Sequence, residues 1–208
     1  MAISIPDRVV VLDYGEVISR SPSPAARTAL AEAAGVPLAE LEAAYDVDRL
    51  ALDGGELGVV DYWRAMGERL GRTYSLSEVQ RLWTIDFTSW FEPEPAVVDL
   101  LVELHEGGTR LALLSNAGLD FGDPLRRTPF ATLMEQVFVS AEMGLVKPDP
   151  EIYRRTMEGL GVGPEQTVFV DNKAVNTDAA AALGITVHHF TGVAGLRAFC
   201  ESLGAAGR

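Results

Sequence analysis

Four separated stretches of this 208-residue chain carry side chains able to do chemistry on a small anion. They are Asp13 in VVVLDYG, Ser115 and Asn116 in LLSNAG, Lys147 in VKPDPEIY, and Asp171 and Asn172 in FVDNKAVNTD. A carboxylate such as Asp13 can attack a phosphoryl group or an alkyl carbon and form a covalent intermediate, splitting one difficult step into two easier ones. Taken alone, Asp13 reads equally well as a turn residue ahead of Gly15. Ser115 and Asn116 offer a hydroxyl and backbone N–H groups of the kind that cradle anionic oxygens. Lys147 lies on a loop stiffened by Pro148 and Pro150, where a cation can neutralise a phosphate and a nucleophile together. Asp171 and Asn172, with Asn176 and Asp178 one turn later, make an oxygen-rich set suited to Mg2+, which keeps several waters and takes few protein ligands.

The elements that must position these groups are legible as apolar runs. Val9 to Leu12, Leu111 to Leu114, Val168 to Val170 and Ile185 to Val187 have the length and β-branched content of buried parallel strands, and Val137 to Val139 is a weaker fifth. Helical patterns over Ala96 to His105, Pro150 to Leu160 and Ala174 to Leu183 alternate with them, which predicts a doubly wound, Rossmann-like parallel α/β sheet. Such folds bind ligands outside the carboxyl ends of the strands, where Asp13 would emerge. From about Pro22 to Pro95 the alternation stops. Ala25 to Ala34, Leu38 to Leu52, Val60 to Leu70 and Ser77 to Trp90 show helical periodicity instead, with Ser77 and Gln80 spaced as a capping box. The expectation is an α/β core of residues 1–20 and 95–208 carrying an inserted helical cap of residues 21–94. Trp63, Trp83 and Trp90 are expected to pack the cap interior, with one or two lining the entrance to the site.

In this order and context the four motifs resemble those of the haloacid dehalogenase-like hydrolase superfamily, over essentially the whole chain. LDYGEVIS is most similar to the branch whose first motif reads Asp-x-Gly, and LDGGELGVVDYW resembles a recurring element of its helical cap. The resemblance implies a phosphatase related to sugar-phosphate hydrolases, acting on a small phosphate monoester with Mg2+. It further implies that Asp13 attacks phosphorus while its other oxygen and the Gly15 carbonyl ligate the metal. Ser115 and the Asn116 N–H would bind phosphoryl oxygens, Lys147 would bridge Asp13 and the phosphate, and Asp171 and Asn172 would complete the metal site.

Two positions depart from the superfamily pattern. Gly15 stands where most of its phosphatases carry a second Asp that protonates the leaving alcohol, a loss worth about 10² to 10⁴ in rate for a poor leaving group. That points to a substrate with an acidic leaving hydroxyl, such as a sugar 1-phosphate. Glu16 is one residue further on, and its side chain points elsewhere if strand geometry persists. Asn172 stands where metal-dependent relatives place an aspartate, which predicts weak Mg2+ binding that Asn172→Asp tightens. Both departures keep two rivals open: a metal-independent 2-haloacid dehalogenase, matched by the run from Lys147 to Tyr153, and a binding protein whose site no longer turns over. Against the dehalogenase stand Val17, where those enzymes carry threonine, and the absence of their Ser-Ser-Asn run after Asp171.

Composition narrows the partners. Seventeen basic against thirty acidic residues give a net charge of −13 with no basic patch, which disfavours nucleic acid and anionic membrane surfaces. The lone Cys200, the absence of a signal-like start and the lack of any membrane-length apolar run predict a cytoplasmic protein; the oligomeric state is left open.

Overall fold

The computed structural model describes residues 2–206. The strands are β1 (Val9–Leu12), β2 (Arg110–Ser115), β3 (Gln136–Val139), β4 (Thr167–Asp171) and β5 (Thr186–His189). They form one sheet in the order β3-β2-β1-β4-β5, every neighbouring pair parallel. All four residues of β1 are buried because both faces of the sheet are covered. Side chains alternate across the pleat, so Val10 and Leu12 pack with Leu100, Leu101 and Leu104 on one side. Val9 and Val11 pack with Ile152, Tyr153 and Leu160 on the other.

Five helices separate β1 from the helix that precedes β2: α1 (Pro24–Ala34), α2 (Leu38–Tyr45), α3 (Arg49–Asp53), α4 (Val59–Arg69) and α5 (Leu76–Ser89). They share an apolar cluster of their own that includes Leu30, Leu41, Tyr62, Trp63, Met66 and Leu82. The remaining helices are α6 (Pro95–Glu106), α7 (Gly122–Arg126), α8 (Ser140–Met143), α9 (Pro150–Leu160), α10 (Ala174–Ala181) and α11 (Val193–Ala206). Among the described residues no helix is long and apolar enough to cross a membrane.

The two chain segments that lead into and out of the α1–α5 insertion are fastened to each other. Ser19 pairs antiparallel with Pro93, the Arg20 N–H donates to Glu92 O at 2.8 Å, and the Glu94 N–H donates to Ile18 O at 2.8 Å. The Arg20 guanidinium adds contacts to Glu92 and Glu94. At its far end the insertion rests on the core, where the Ser140 hydroxyl donates to Asp53 O at 2.5 Å. Beside it Gly55 has φ +79°, and a Cβ there would come within 2.7 Å of Ala141 O, so only glycine fits.

Two local expectations differ from what forms. The capping box is made by Ser75 and Glu78, not Ser77 and Gln80: α5 begins at Leu76, Ser75 Oγ accepts from the Glu78 N–H, and Glu78 Oε2 accepts from the Ser75 N–H at 2.8 Å. The single helix expected over Leu38 to Leu52 is broken after Tyr45 without glycine or proline. The Tyr62 hydroxyl donates to the Tyr45 carbonyl at 2.6 Å, and the Arg49 N–H turns to Asp46 O instead. A tertiary hydrogen bond thus replaces a helical one.

Candidate active site

Asp13 leaves the carboxyl end of the central strand, Ser115 ends the neighbouring β2, and Asp171 ends β4 on the other side. Their side by side register brings one acid, one hydroxyl and a second acid to a single sheet edge. Lys147 enters between them from the loop before α9 and is only 2% exposed. Its ammonium has three protons and three acceptors: Asp13 Oδ1 at 2.8 Å, Asp171 Oδ2 at 2.7 Å and Leu114 O at 3.0 Å. The loop is locked by Asn116, whose side-chain amide pairs both ways with the Lys147 backbone, Nδ2 to O at 2.9 Å and Oδ1 from N–H at 2.8 Å.

Asp171, fully buried, accepts from Lys147, from Asn176 Nδ2 at 3.1 and 3.0 Å, and from the Lys173 N–H at 2.8 Å. Both of its oxygens are therefore occupied by the protein, and it stands behind Lys147 as an anchor. This differs from the ligand place expected for Asp171 beside Asn172. Lys147 lies against Asp13, as the bridging place expected for it requires, with hydrogen bonds to Asp171 and Leu114 O holding it from behind. Asp13 is held less completely. Its Oδ1 takes Lys147 and the Tyr14 N–H at 2.7 Å, whereas Oδ2 takes no hydrogen bond among the described residues. Burial pushes the Asp13 carboxyl up to about 6, opposed by the Lys147 ammonium and reinforced by the Asp171 charge. Burial works against the Lys147 ammonium as well, yet Asp13 and Asp171 hold it above its ordinary range, so it stays charged.

These groups line a cleft of about 340 Å³ between the sheet edge and the insertion, which adds Tyr45, Asp46, Arg49, Leu50 and Asp53 to its walls. Ser115 Oγ makes no hydrogen bond among the described residues and is available to a ligand in the cleft. Arg49 also lines the cleft; its Nε is held by Asp53 at 3.1 Å and its Nη1 by the Tyr45 hydroxyl at 2.9 Å and Asp86 at 3.7 Å, while Nη2 has no hydrogen bond among the described residues. A second cavity of about 320 Å³ adjoins the first and shares Glu16, Tyr45, Asp46 and Trp90 with it. Of the tryptophans, Trp90 lines both cavities, Trp63 is buried in the insertion, and Trp83 Nε1 donates to Asp120 of the core at 2.5 Å.

Glu16 overturns the expectation that it points away. Its φ of +59° bends the chain out of strand geometry, and its carboxylate reaches the cleft, where Oε2 accepts from Asn172 Nδ2 at 2.8 Å and Oε1 accepts from Ser21 Oγ at 2.5 Å. A left-handed backbone at a glutamate leaves no mark in the apolar pattern.

The residues present fit a small hard cation. Asp13 Oδ2, the Gly15 carbonyl and Asn172 Oδ1 all take no hydrogen bond among the described residues, and Asn172 Oδ1 is buried as well. A buried oxygen without a partner is costly unless something fills the place. The described residues hold no group of three or more His, Cys, Asp or Glu side chains suited to a metal, so a cation here would rest on one acid, one amide and one carbonyl.

The sequence model of the haloacid dehalogenase-like hydrolase family matches residues 60–190, more than half of the chain. The chain belongs to this family. The match spans Ser115, Lys147 and Asp171 and starts beyond Asp13, which the fold of this haloacid dehalogenase-like chain brings within 2.8 Å of Lys147. A sesquiterpene phosphatase from Aspergillus oryzae is 30% identical over 105 residues, covering 50% of this chain and 54% of that protein. An (S)-2-haloacid dehalogenase from Burkholderia cepacia is 26% identical over 130 residues, covering 60% of this chain and 56% of that protein. The chain thus spans about half the length of these curated relatives. A haloacid dehalogenase family enzyme from Bacteroides thetaiotaomicron, solved with magnesium and inorganic phosphate, superposes with a TM-score of 0.70 at 22% identity, covering 87% of this chain and 92% of that one. At that identity the likeness concerns the fold.

Proposed function

We propose that the chain is a Mg2+-dependent phosphatase acting on a small phosphate monoester through an aspartyl-phosphate at Asp13. The observation that carries this reading is a half-engaged carboxylate: Asp13 is fixed by Lys147 and Tyr14 through one oxygen and lines the cleft with no hydrogen bond on the other among the described residues. Attack of Asp13 on phosphorus would break the ester P–O bond, releasing the alcohol oxygen as an anion that takes its proton from water, and leave a phosphoryl-aspartate that water then hydrolyses to phosphate and free Asp13. Ser115 would orient phosphoryl oxygens, and Lys147 keeps the attacking acid ionised despite its burial. Asp13, the Gly15 carbonyl and Asn172 would hold the metal, which when bound neutralises charge on the transferring group. Asp171 and Asn176 serve as the rear support of Lys147.

The adjoining cavity suits the leaving alcohol. Its walls mix Leu30, Leu41, Ile85 and the Trp90 ring with Tyr45, Asp46 and Ser89, a lining for a compact group with both C–H faces and hydroxyls. With Gly15 in place of an acid, a sugar 1-phosphate, whose anomeric oxygen departs readily, should turn over well ahead of its 6-phosphate isomer. Assaying a panel of phosphate monoesters with and without Mg2+ tests the reading. Equal rates for the two isomers would remove the leaving-group claim, and chloride release from 2-chloropropionate that resists EDTA would transfer the chain to the dehalogenases.

Gly15→Asp provides a further check. A Cβ at position 15 would lie 3.8 Å from the Trp90 ring, an ordinary contact, and the backbone φ is not left-handed. The variant should therefore fold and supply the missing acid, raising kcat/KM for the 6-phosphate by about 10²-fold while changing the 1-phosphate little. A uniform change for both esters would mean that proton delivery is not what position 15 controls.

A further inference from the structure

The metal cradle contains an amide where a carboxylate would bind more strongly, and the structure places a carboxylate directly behind that amide. An asparagine side chain presents either an oxygen or an NH2 group to a given neighbour, and only the oxygen can ligate a cation. Glu16 Oε2 lies 2.8 Å from the Asn172 amide. An oxygen turned toward that carboxylate would be repelled, so the NH2 group must face Glu16 and the carbonyl oxygen must face the other way. That oxygen is the buried one with no hydrogen bond among the described residues, and Asn172 lines the cleft together with Asp13 and Gly15. Glu16 is itself held, since Ser21 Oγ donates to its second oxygen and the left-handed turn at φ +59° aims it inward.

We propose that Glu16 is a positioning residue for the cation site: it fixes the Asn172 amide with oxygen toward the metal and supplies through that amide part of the negative charge an aspartate would have brought. Glu16 and Asn172 then form one unit, and each makes sense only with the other. This rests on the reading of the cleft as a divalent-cation site. It carries a consequence of definite sign. In the native pair Glu16 helps; opposite an aspartate at position 172 the same carboxylate would meet a like charge and hinder.

The test is a thermodynamic cycle read by Mg2+ titration calorimetry and by Mn2+ electron paramagnetic resonance, without substrate. Glu16→Ala should weaken binding about tenfold or more, as loss of a ligand-orienting partner does. Glu16→Gln keeps an acceptor for the Asn172 NH2 group and should retain part of the affinity. In the Asn172→Asp background, which by itself should tighten binding, Glu16→Ala should leave affinity unchanged or raise it. Glu16 is exposed and its removal opens no core, so Glu16→Ala and Glu16→Gln should melt as the native protein does. If the native protein binds Mn2+ and Glu16→Ala stays within twofold of it, or weakens binding equally in both backgrounds, the positioning role is wrong while the cation site stands. Absence of cation binding to the native protein at millimolar concentration would overturn both.

Discussion

Asp13→Asn is expected to lower turnover by on the order of 10⁴-fold or more while leaving the melting temperature unchanged or higher. The two halves of that result have one origin. Asp13 Oδ1 receives both the Lys147 ammonium and the Tyr14 N–H, so the carbonyl oxygen of an asparagine can keep both bonds and put its NH2 group where Oδ2 was. The fold is preserved, but an amide is not a nucleophile. Burial holds the native carboxyl near 6, above its ordinary value, so at neutral pH its ionised form destabilises the folded chain relative to the unfolded one. The asparagine removes that penalty. In metal-free buffer the variant's excess stability should shrink as pH falls through about 6 toward 4, because the native Asp13 then takes up its own proton. Melting curves at several pH values check this, and residual activity within tenfold of the native protein would rule out covalent catalysis at this position.

Lys147→Met should act in the opposite sense on stability. It leaves Asp13 and the fully buried Asp171 at one sheet edge without their shared cation, and breaking a buried ion pair in this way typically costs about 3–5 kcal/mol. Uptake of a proton by Asp13 relieves part of that loss. Adding Asp13→Asn to Lys147→Met should therefore restore stability by more than Asp13→Asn alone confers, a non-additivity expected of groups in direct contact. Urea denaturation of the native protein, both single variants and the double variant measures the coupling. A Lys147→Met chain that unfolds at the native urea midpoint would show that the ammonium is not neutralising these acids. Activity should fall in parallel, because a protonated Asp13 cannot attack.

What could be read in the sequence follows from where water was excluded. β1, β2 and β4 lie inside a sheet covered on both faces, so their residues form unbroken apolar runs, and the polar residue that ends each run is the one delivered to the site. β3 at one sheet edge opens with an exposed Gln136, and its pattern is accordingly fainter; β5 at the other edge is only partly buried, yet its Ile185 to Val187 run was as legible as the inner strands. The features that escaped were tertiary. Nothing local in Leu38 to Leu52 announces that Tyr62 will capture the Tyr45 carbonyl and break the helix. Glu16 was hidden for a related reason, since alternation along a strand says nothing about a chain that turns left-handed three residues past Asp13. Asp171 was identified by its motif, but only the four contacts it receives distinguish a ligand from the anchor of Lys147.

The clasp between Ile18–Arg20 and Glu92–Glu94 bears on how the cleft can admit a substrate. Because the entry and exit segments are bonded to each other, the roots of the intervening helices are held together, while Asp53 to Ser140 and Trp83 to Asp120 tie the same helices to the core farther out. The same fastening makes the insertion a cassette. Its ends already meet in register, so evolution or an engineer can exchange what lies between them without disturbing the strand that presents Asp13.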